Sequence, residues 1–245
     1  RHRRNDEVRR RTAAPTDLTT GARALVRGVL IATPSGDTTG GATVCTTPLP
    51  DPNALQVGYG AIDTGIATEY RAPILLMSQI ISQANAAKQK PETSLLRLTS
   101  ADVRLEDSEG NQIVRSNGSD AAFSTPVSGF VPPQTGGTPG YGTAVALFID
   151  SATVKDLAKT LKASGKTMTL VAKVVVHGTT IGGQEVSSPE FAFPIEASYG
   201  GLVSCVTGPG CLPGADQPTP SCRGGLDVPT DCRLCAGREV CACSG

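Results

Sequence analysis

The chain has no tryptophan, and aromatic residues make up only 4% of its 245 positions. Charged residues are also sparse at 18%, whereas glycine occurs 28 times and proline 18 times. A helical bundle is built mainly from Ala, Leu, Glu and Lys, so this composition argues against one. It favours short β-strands joined by turns.

The sequence lacks an excess of either charge and lacks a long apolar run. Lys and Arg number 22 and balance 22 Asp and Glu, so no global field favours nucleic acid or an acidic membrane. The longest apolar stretch, residues 169–176, is interrupted by Lys173. It is shorter than the roughly 20 residues that a spanning helix needs. We therefore expect neither a nucleic-acid partner nor a transmembrane segment in this chain.

Histidine is nearly absent, which limits acid–base chemistry. The two histidines are His2, in a basic arm, and His177, which we place at a strand end beside a glycine turn. No G-x-S-x-G elbow, H-E-x-x-H motif or dinucleotide fingerprint occurs. Lys162–Thr167 imitates the end of a phosphate loop, but Thr160 stands where its first glycine belongs. We expect no enzyme activity, no catalytic or metal-ligating residue and no cofactor.

Cysteine is the residue that carries a compartment signal. The eight cysteines are Cys45, Cys205, Cys211, Cys222, Cys232, Cys235, Cys241 and Cys243, and all except Cys45 lie within the last 41 residues. An even number at this density predicts disulfides in an exported protein. Zinc is the alternative, but only Cys232 and Cys235 have knuckle spacing, and the tail contains no histidine. We predict a Cys45–Cys205 bond and three further bonds among the other six cysteines.

Composition divides the chain into three parts. Residues 1–20 form a basic, extended N-terminal arm, with six Arg against two acids in residues 1–11. The arm is either solvated or contacts an anionic surface such as lipid head groups or polysaccharide. Residues 21–200 have the strand patterns of a β-sandwich domain, and residues 201–245 form a cysteine-rich C-terminal tail. No start Met or export signal is visible at Arg1, so we expect a processed or incomplete chain.

Alternation of apolar and polar residues predicts about eight strands in the body. The clearest are residues 94–106, with a bulge near Ser100, residues 143–148, and residues 166–176. A glycine-rich turn at residues 177–183 leads to a strand over residues 185–196, giving a hairpin. Residues 124–142 are rich in Gly and Pro and are predicted to form a mobile surface loop.

One helix is predicted in the body, over residues 151–163. Asp150 or Ser151 is its N-cap, Val154, Leu157 and Leu161 share one face, and Gly165 ends it. The acids of residues 107–111 suggest a calcium loop, but their spacing differs from the EF-hand pattern, and a hairpin turn fits better. The fold class is therefore mainly β: an antiparallel β-sandwich with one short helix and a disulfide-rich irregular tail.

Two segments resemble a known group of proteins. The first is residues 171–195, followed by Cys205 and Cys211; the second is residues 70–77 with the strand that begins at Val103. Over residues 60–211 the chain resembles secreted lipoproteins of unknown function from myxobacteria and related bacteria. The resemblance implies an envelope or surface location and a β-sandwich, and it brings no catalytic residues. Those lipoproteins begin at an acylated cysteine, whereas no cysteine precedes Cys45 here.

Three classes of function follow from these observations. The first is a structural or interaction protein of the cell envelope or exterior, a subunit or accessory of a larger assembly, with other surface proteins or its own copies as partners. The second is a carbohydrate or small-ligand binding module, for which the tyrosines are Tyr59, Tyr70, Tyr141 and Tyr199. The third, an enzyme, has the least support. The tail is predicted to be an interaction element, with a protease-resistant spacer as the alternative.

Overall fold

A computed structural model describes residues 23–35, 44–84, 86–204, 225–232 and 239–241. The chain is mainly β, with one α-helix among these residues. The strands are β1 (Ala24–Leu30), β2 (Thr33–Ser35), β3 (Val44–Thr46), β4 (Gln56–Val57), β5 (Gly60–Asp63), β6 (Tyr70–Ser78), β7 (Leu96–Asp107), β8 (Ala122–Val131), β9 (Gly140–Ile149), β10 (Met168–Thr180), β11 (Glu185–Ser187), β12 (Phe191–Ser198), β13 (Val203–Ser204) and β14 (Thr230–Asp231). Short 3-10 helices cover Ala86–Lys88 and Glu239–Cys241.

Two sheets contain most of these strands. The smaller sheet has the order β4-β1-β6-β9, and the larger has the order β5-β12-β10-β7-β8, with β11 also paired to β10. Every pair in both sheets is antiparallel except β5 with β12. The long central strand β10 alternates as its sequence predicts, with Leu170, Ala172, Val174 and Val176 buried.

One hydrophobic cluster contains buried side chains from both sheets and from the helix. At its centre lie Tyr70 of β6, Phe148 of β9 and Phe193 of β12, each at most 1% exposed. Their ring centroids are 5.6 to 6.5 Å apart. Three of the nine aromatic residues thus pack together in this cluster, and aromatic pairs at this separation add to the free energy gained by burial.

The predicted helix, α1, is present at Ser151–Ser164. Asp150 is its N-cap, accepting a hydrogen bond from the backbone N–H of Thr153 at 3.0 Å. Gly165 ends the helix with a φ of 63° and donates its N–H to the Leu161 carbonyl. Both signals lie within a few residues of the helix, which is why the sequence alone located it. No helix in the described part of the chain is long and apolar enough to cross a membrane.

Two predictions about β7 are confirmed. The register between β7 and β8 shifts between Leu98 and Ser100, which is the expected bulge. At the end of β7, Asp107 accepts hydrogen bonds from the backbone N–H groups of Glu109 and Asn111, so its carboxylate holds the turn. The residues that follow this turn form isolated bridges, such as Glu106 with Gln112.

The prediction of a mobile loop over residues 124–142 is wrong. Most of this segment belongs to β8 and to the start of β9. β8 is the last strand of the larger sheet, a position where a strand tolerates Pro126. A side chain at Gly129 would bring its Cβ within 2.9 Å of the Thr143 carbonyl oxygen, so glycine here permits close contact between β8 and β9. The role of these residues depends on where they lie in the sheets, and composition does not reveal this.

The boundaries around residue 180 also differ from prediction. β10 continues through the expected turn to Thr180, so His177 lies inside the strand, and the turn follows, with Gly183 at a φ of 86°. The expected strand over residues 185–196 is divided into β11 and β12, with Pro189 between them. The predicted hairpin is otherwise confirmed, since β10 and β12 pair antiparallel.

Candidate functional site

The cysteines were the only site residues that the sequence predicted. Cys232 follows β14 directly and is 1% exposed, packed against the half-buried Ile66, Val203 and Val240. The backbones of Cys45 and Cys241 lie in β3 and in the last 3-10 helix. The remaining five cysteines, among them Cys205 of the predicted Cys45–Cys205 bond, lie outside the described residues, and so does the basic N-terminal arm.

The C-terminal segment packs against the outer strand of the larger sheet. The N–H of Asp63 donates to the Gly225 carbonyl, and the N–H of Asp227 donates to the Ala61 carbonyl, both at 2.8 Å. The Asp227 carboxylate accepts from the N–H of Ala61 at 2.8 Å and from the Tyr70 hydroxyl at 2.7 Å. Leu226 forms a bridge to Ile62 in β5. The open edge of β5 is therefore covered by residues more than 150 positions later in the chain.

A buried carboxylate holds the same end of the molecule together. Asp63 is fully buried, and its two oxygens accept three backbone hydrogen bonds, from Gly65 and Gly200 at 2.9 Å and from Leu202 at 3.0 Å. Burying a charge is costly unless hydrogen bonds satisfy it, as they do here. These bonds connect Asp63, the last residue of β5, with the segment between β12 and β13. The role of Asp63 is consequently structural.

On the outer face of the larger sheet, three side chains form a chain of contacts. The His177 Nδ1 atom lies 2.8 Å from Ser187 Oγ, and its Nε2 atom lies 3.1 Å from Asp102 Oδ2. This order resembles the serine, histidine and aspartate of acyl-transfer enzymes. Such enzymes commonly use the N–H after the serine to stabilise the oxyanion. Here that group, the N–H of Ser188, already donates to the Val176 carbonyl at 2.8 Å.

The contacts of His177 therefore serve to join strands. They link β7, β10 and β11, and the side chains are accessible, at 31% exposure for His177 and 62% for Asp102. Four charged residues continue the same face: Arg104 lies 2.8 Å from Glu190 and 3.2 Å from Glu106, and Lys173 contacts both acids at 3.5 to 3.8 Å. Their charges cancel within the group, so this face offers no net attraction to a charged partner.

A cleft of about 440 Å³ opens at the opposite end of β10 from the C-terminal segment. Its walls come from the residue before β1, the segment after β6, the approach to β7 and the turn between β10 and β11. The polar side chains that matter here are Arg23, Gln79, Gln83, Thr93 and Gln184, and Ile80 and Ile81 add an aliphatic surface. A volume of this size is typical of small-ligand sites.

The backbone around this cleft is firmly hydrogen-bonded. The N–H of Gln79 donates to the Arg23 carbonyl and that of Gly182 to the Thr93 carbonyl, both at 2.8 Å. The Gln184 N–H donates to Thr180 Oγ1 at 3.0 Å, while the Gln184 carbonyl accepts from the Thr180 N–H. Hydrogen bonds of the backbone thus hold the walls in place, and they do not involve the side chains of Arg23, Gln79 and Gln184.

Glu92 fixes the loop that precedes β7. Its carboxylate accepts hydrogen bonds from the Ser82 hydroxyl and from the backbone N–H groups of Gln83, Ala84 and Ser94. These hydrogen bonds lower the pKa of Glu92 to about 2, and the bond from Ser82 has the largest effect. The negative charge of Glu92 is therefore stabilised by hydrogen bonds from the loop itself.

No sequence motif marks this cleft, because its residues are spread over positions 23–184. Comparisons with known proteins do not supply one either. A scan against protein-family models found no match, and a search of curated proteins also found none. Function must accordingly be argued from the geometry.

Proposed function

We propose that the chain is a non-catalytic protein of the cell envelope or exterior that acts by interaction within a larger surface assembly. The observation that carries the proposal is the docking of residues 225–232 on the body. This segment covers the β5 edge through backbone bonds and through Asp227. A tail fixed in this way becomes part of a defined surface, as an interaction element requires.

The cysteines support an exported location. Cys232 is buried beside the body at 1% exposure, where a disulfide would hold the end of β14 in place. A segment without aromatic residues gains little free energy of folding from its own core, whereas each closed loop contributes about 2 to 4 kcal/mol. We propose disulfides for all eight cysteines, and the resemblance to secreted bacterial lipoproteins agrees with that location.

The finer architecture is part of the same proposal. Side chains from both sheets share one cluster, and the Tyr70, Phe148 and Phe193 rings lie between them. We propose that the two sheets form a β-sandwich, with α1 packed beside it. A sandwich presents its loops at two ends, so one end can carry the docked tail while the other stays accessible.

Export is tested by blocking free thiols in intact host cells that produce the full chain, then counting the blocked cysteines by mass. We expect the chain in the envelope or medium with no blocked cysteine. A cytosolic chain with eight blocked thiols would contradict the proposal.

Assembly is tested separately by cross-linking at the cell surface. The full chain is compared with a chain truncated after Ser204 and with a full-length Phe130→Ala control, which changes an exposed side chain of β8. We expect the full chain and the control to give the same cross-linked complexes and the truncated chain to give fewer. If truncation changes nothing while the body stays folded, the tail is a spacer.

The open cleft favours the second candidate, a carbohydrate or small-ligand binding module. Its polar lining and accessible position are the observations in its favour.

A further inference from the structure

We infer that Asn117 is a site of covalent self-modification, at which the side-chain amide is lost as the backbone nitrogen of Gly118 closes a succinimide ring. The inference goes beyond the assembly role, because neither the tail nor any partner protein takes part in it. It depends on three observations: the exposed turn that carries Asn117, the glycine that follows it, and the two hydrogen-bond donors that contact its carboxamide oxygen.

Asn117 lies at the tip of the hairpin that joins β7 to β8, and this tip consists of residues 115–119. The N–H of Arg115 donates to the Ser119 carbonyl at 2.8 Å, and the N–H of Gly118 donates to the Arg115 carbonyl at 2.9 Å. Asn117, Gly118 and Ser119 are all exposed. Water and hydroxide ions from the solvent therefore reach every atom that the reaction needs.

The nucleophile of the reaction is the backbone nitrogen of the next residue. This nitrogen is already joined to Asn117, so its attack on the side chain is intramolecular and has little translational entropy to lose. A side chain on the next residue would crowd that attack, and Gly118 has none. A Cβ built at Gly118 would meet no atom within 4 Å, so the space around the tip is open to the ring that forms.

Two donors contact the oxygen on which negative charge develops. The N–H and the hydroxyl of Ser119 donate to Asn117 Oδ1 at 3.0 and 2.7 Å. Attack on Cγ moves charge onto Oδ1, and hydrogen bonds to that atom stabilise the charge. The carboxamide of Asn111 has the opposite environment, because its Nδ2 donates to the Asp107 carboxylate at 3.0 Å. A neighbouring negative charge opposes the same step there.

The reaction consumes only water. Hydroxide removes the Gly118 amide proton, the bond from that nitrogen to Asn117 Cγ forms, and the bond from Cγ to Nδ2 breaks, so that Nδ2 takes a proton from water and leaves as ammonia. Water then opens the ring at either carbonyl and leaves aspartate or isoaspartate at position 117. The bond from Gly118 to Arg115 must open first, and turns at exposed tips open at low free-energy cost.

The modification acts on the contact between this tip and α1. Ser116 donates its N–H and its hydroxyl to the Asp156 carboxylate at 2.9 and 2.7 Å. These bonds, first of all the one from the Ser116 N–H, lower the pKa of Asp156, so its charge is present at neutral pH. Loss of the amide puts a second negative charge next to Ser116, and isoaspartate also lengthens the backbone there. Both changes loosen the tip from α1.

The first experiment incubates the full chain at mildly alkaline pH and follows each asparagine by peptide mapping and mass spectrometry. Trypsin cleaves after Arg115, and the peptide of residues 116–155 contains no asparagine except Asn117. Asn53 and Asn111, which are exposed and precede Ala54 and Gln112, are controls within the same chain. We expect Asn117 to lose its amide at least about ten-fold faster than either control. Equal rates, or an unmodified Asn117, would overturn the inference.

A variant separates the contacts of the tip from the effect of the glycine. Ser119→Ala removes the hydroxyl that donates to Asn117 Oδ1 and should slow the loss of the amide about five-fold, the value of one hydrogen bond. Ser108→Ala, at an exposed serine of the neighbouring turn, is the matched control and should react at the parent rate. If Ser119→Ala also reacts at the parent rate, the two donors do not assist the reaction.

Hydrogen exchange tests the effect on α1. The isoaspartate form of the full chain, separated by ion exchange and identified with an isoaspartyl methyltransferase, should exchange its Ser116 amide faster than the parent. Asn117→Asp adds the charge without lengthening the backbone and should give a smaller increase. The amide of Thr153, bonded to Asp150, is the control and should not change. Unaltered exchange at Ser116 in the isoaspartate form would show that the tip stays on α1, whatever the result of the assembly test.

Discussion

The two ends of β10 differ in what the chain has placed there. At the Met168 end, Asp63 and Asp227 accept hydrogen bonds from backbone groups and from Tyr70, and residues 225–232 cover the sheet edge. At the Thr180 end, the backbone is equally well bonded, but the side chains of Arg23 and Gln184 contact no polar partner in the described residues. The first end is completed by the protein itself, whereas the polar side chains of the second remain without such partners in the described part of the chain.

From this comparison we expect the first end to contribute stability, and we propose that the second is the end available for binding. Substitutions at the Met168 end should cost folding free energy, whereas substitutions of the cleft side chains that form no polar contact at the Thr180 end should not. The five predictions below test this division.

The largest effect is expected from Phe193→Ala. The ring of Phe193 is buried against Tyr70 and Phe148, and its removal leaves a cavity between the two sheets. We expect a loss of about 3 to 5 kcal/mol in the free energy of unfolding, measured by denaturant titration. Phe130→Ala, which removes a ring that is 56% exposed, is the control. Similar losses in both variants would show that Phe193 does not fill a core.

Asp63→Ala should have the next largest effect. It removes the acceptor of the N–H groups of Gly65, Gly200 and Leu202, which are partly buried. We expect a loss of about 3 kcal/mol in the free energy of unfolding. Asp51→Ala is the control, because Asp51 is exposed and accepts a single local bond from Asn53. A variant as stable as the parent would mean that these bonds do not close this end.

Tyr70→Phe isolates the contact between the body and the C-terminal segment. It removes the hydroxyl that donates to Asp227 and keeps the buried ring. We expect a loss of about 1 kcal/mol and faster hydrogen exchange at the Asp227 amide. Tyr59→Phe, at a side chain that is 71% exposed, should change neither quantity. If Asp227 exchanges at the parent rate, the segment is held by other contacts.

Glu92 should make the Thr180 end sensitive to acid. Its pKa is lowered from 4.5 to about 2 in the folded protein, so its carboxylate favours folding at pH values above 4.5. That contribution is lost as the pH falls from 4.5 toward 2. We expect unfolding free energy to fall less steeply over this window in Glu92→Gln than in the parent chain. Glu185→Gln is the control and should show the same pH dependence as the parent chain. If the profile of Glu92→Gln is also parallel to that of the parent, the assignment is refuted.

The smallest effect is expected from the residues that line the cleft. Arg23→Gln and Gln184→Ala should change the free energy of unfolding by no more than about 0.5 kcal/mol, because their side chains form no polar contacts in the described part of the protein. Thermal unfolding of each variant beside the parent measures this. A large loss in either variant would mean that the side chain supports the fold, and the contrast between the two ends would disappear.

The parts of the fold that sequence predicted depend on neighbouring residues. The N-cap Asp150 and the C-cap Gly165 lie next to α1, and the alternation of β10 is a property of consecutive positions. The loop prediction for residues 124–142 failed because it rested on residue type alone, and proline and glycine, such as Pro126 and Gly129, are typical of loops. Their actual role depends on β8 being the last strand of its sheet and on its contact with β9.

The candidate site was beyond prediction for the same reason. His177 was expected at a strand end, yet it lies within β10 and meets Asp102 from 75 positions earlier. Arg23, Gln79 and Gln184 become neighbours only when the ends of both sheets come together. The spacing of these residues along the chain does not indicate that they are neighbours in space.

By itself, then, the sequence determined a mainly β chain with one capped helix, because turn residues, caps and alternation act over a few positions. Tertiary structure alone decided which end is closed. The bond from Tyr70 to Asp227 spans 157 positions, and that from Gly200 to Asp63 spans 137. Such contacts depend on the order and register of strands, which are set by burying one shared core and cannot be read from any single segment.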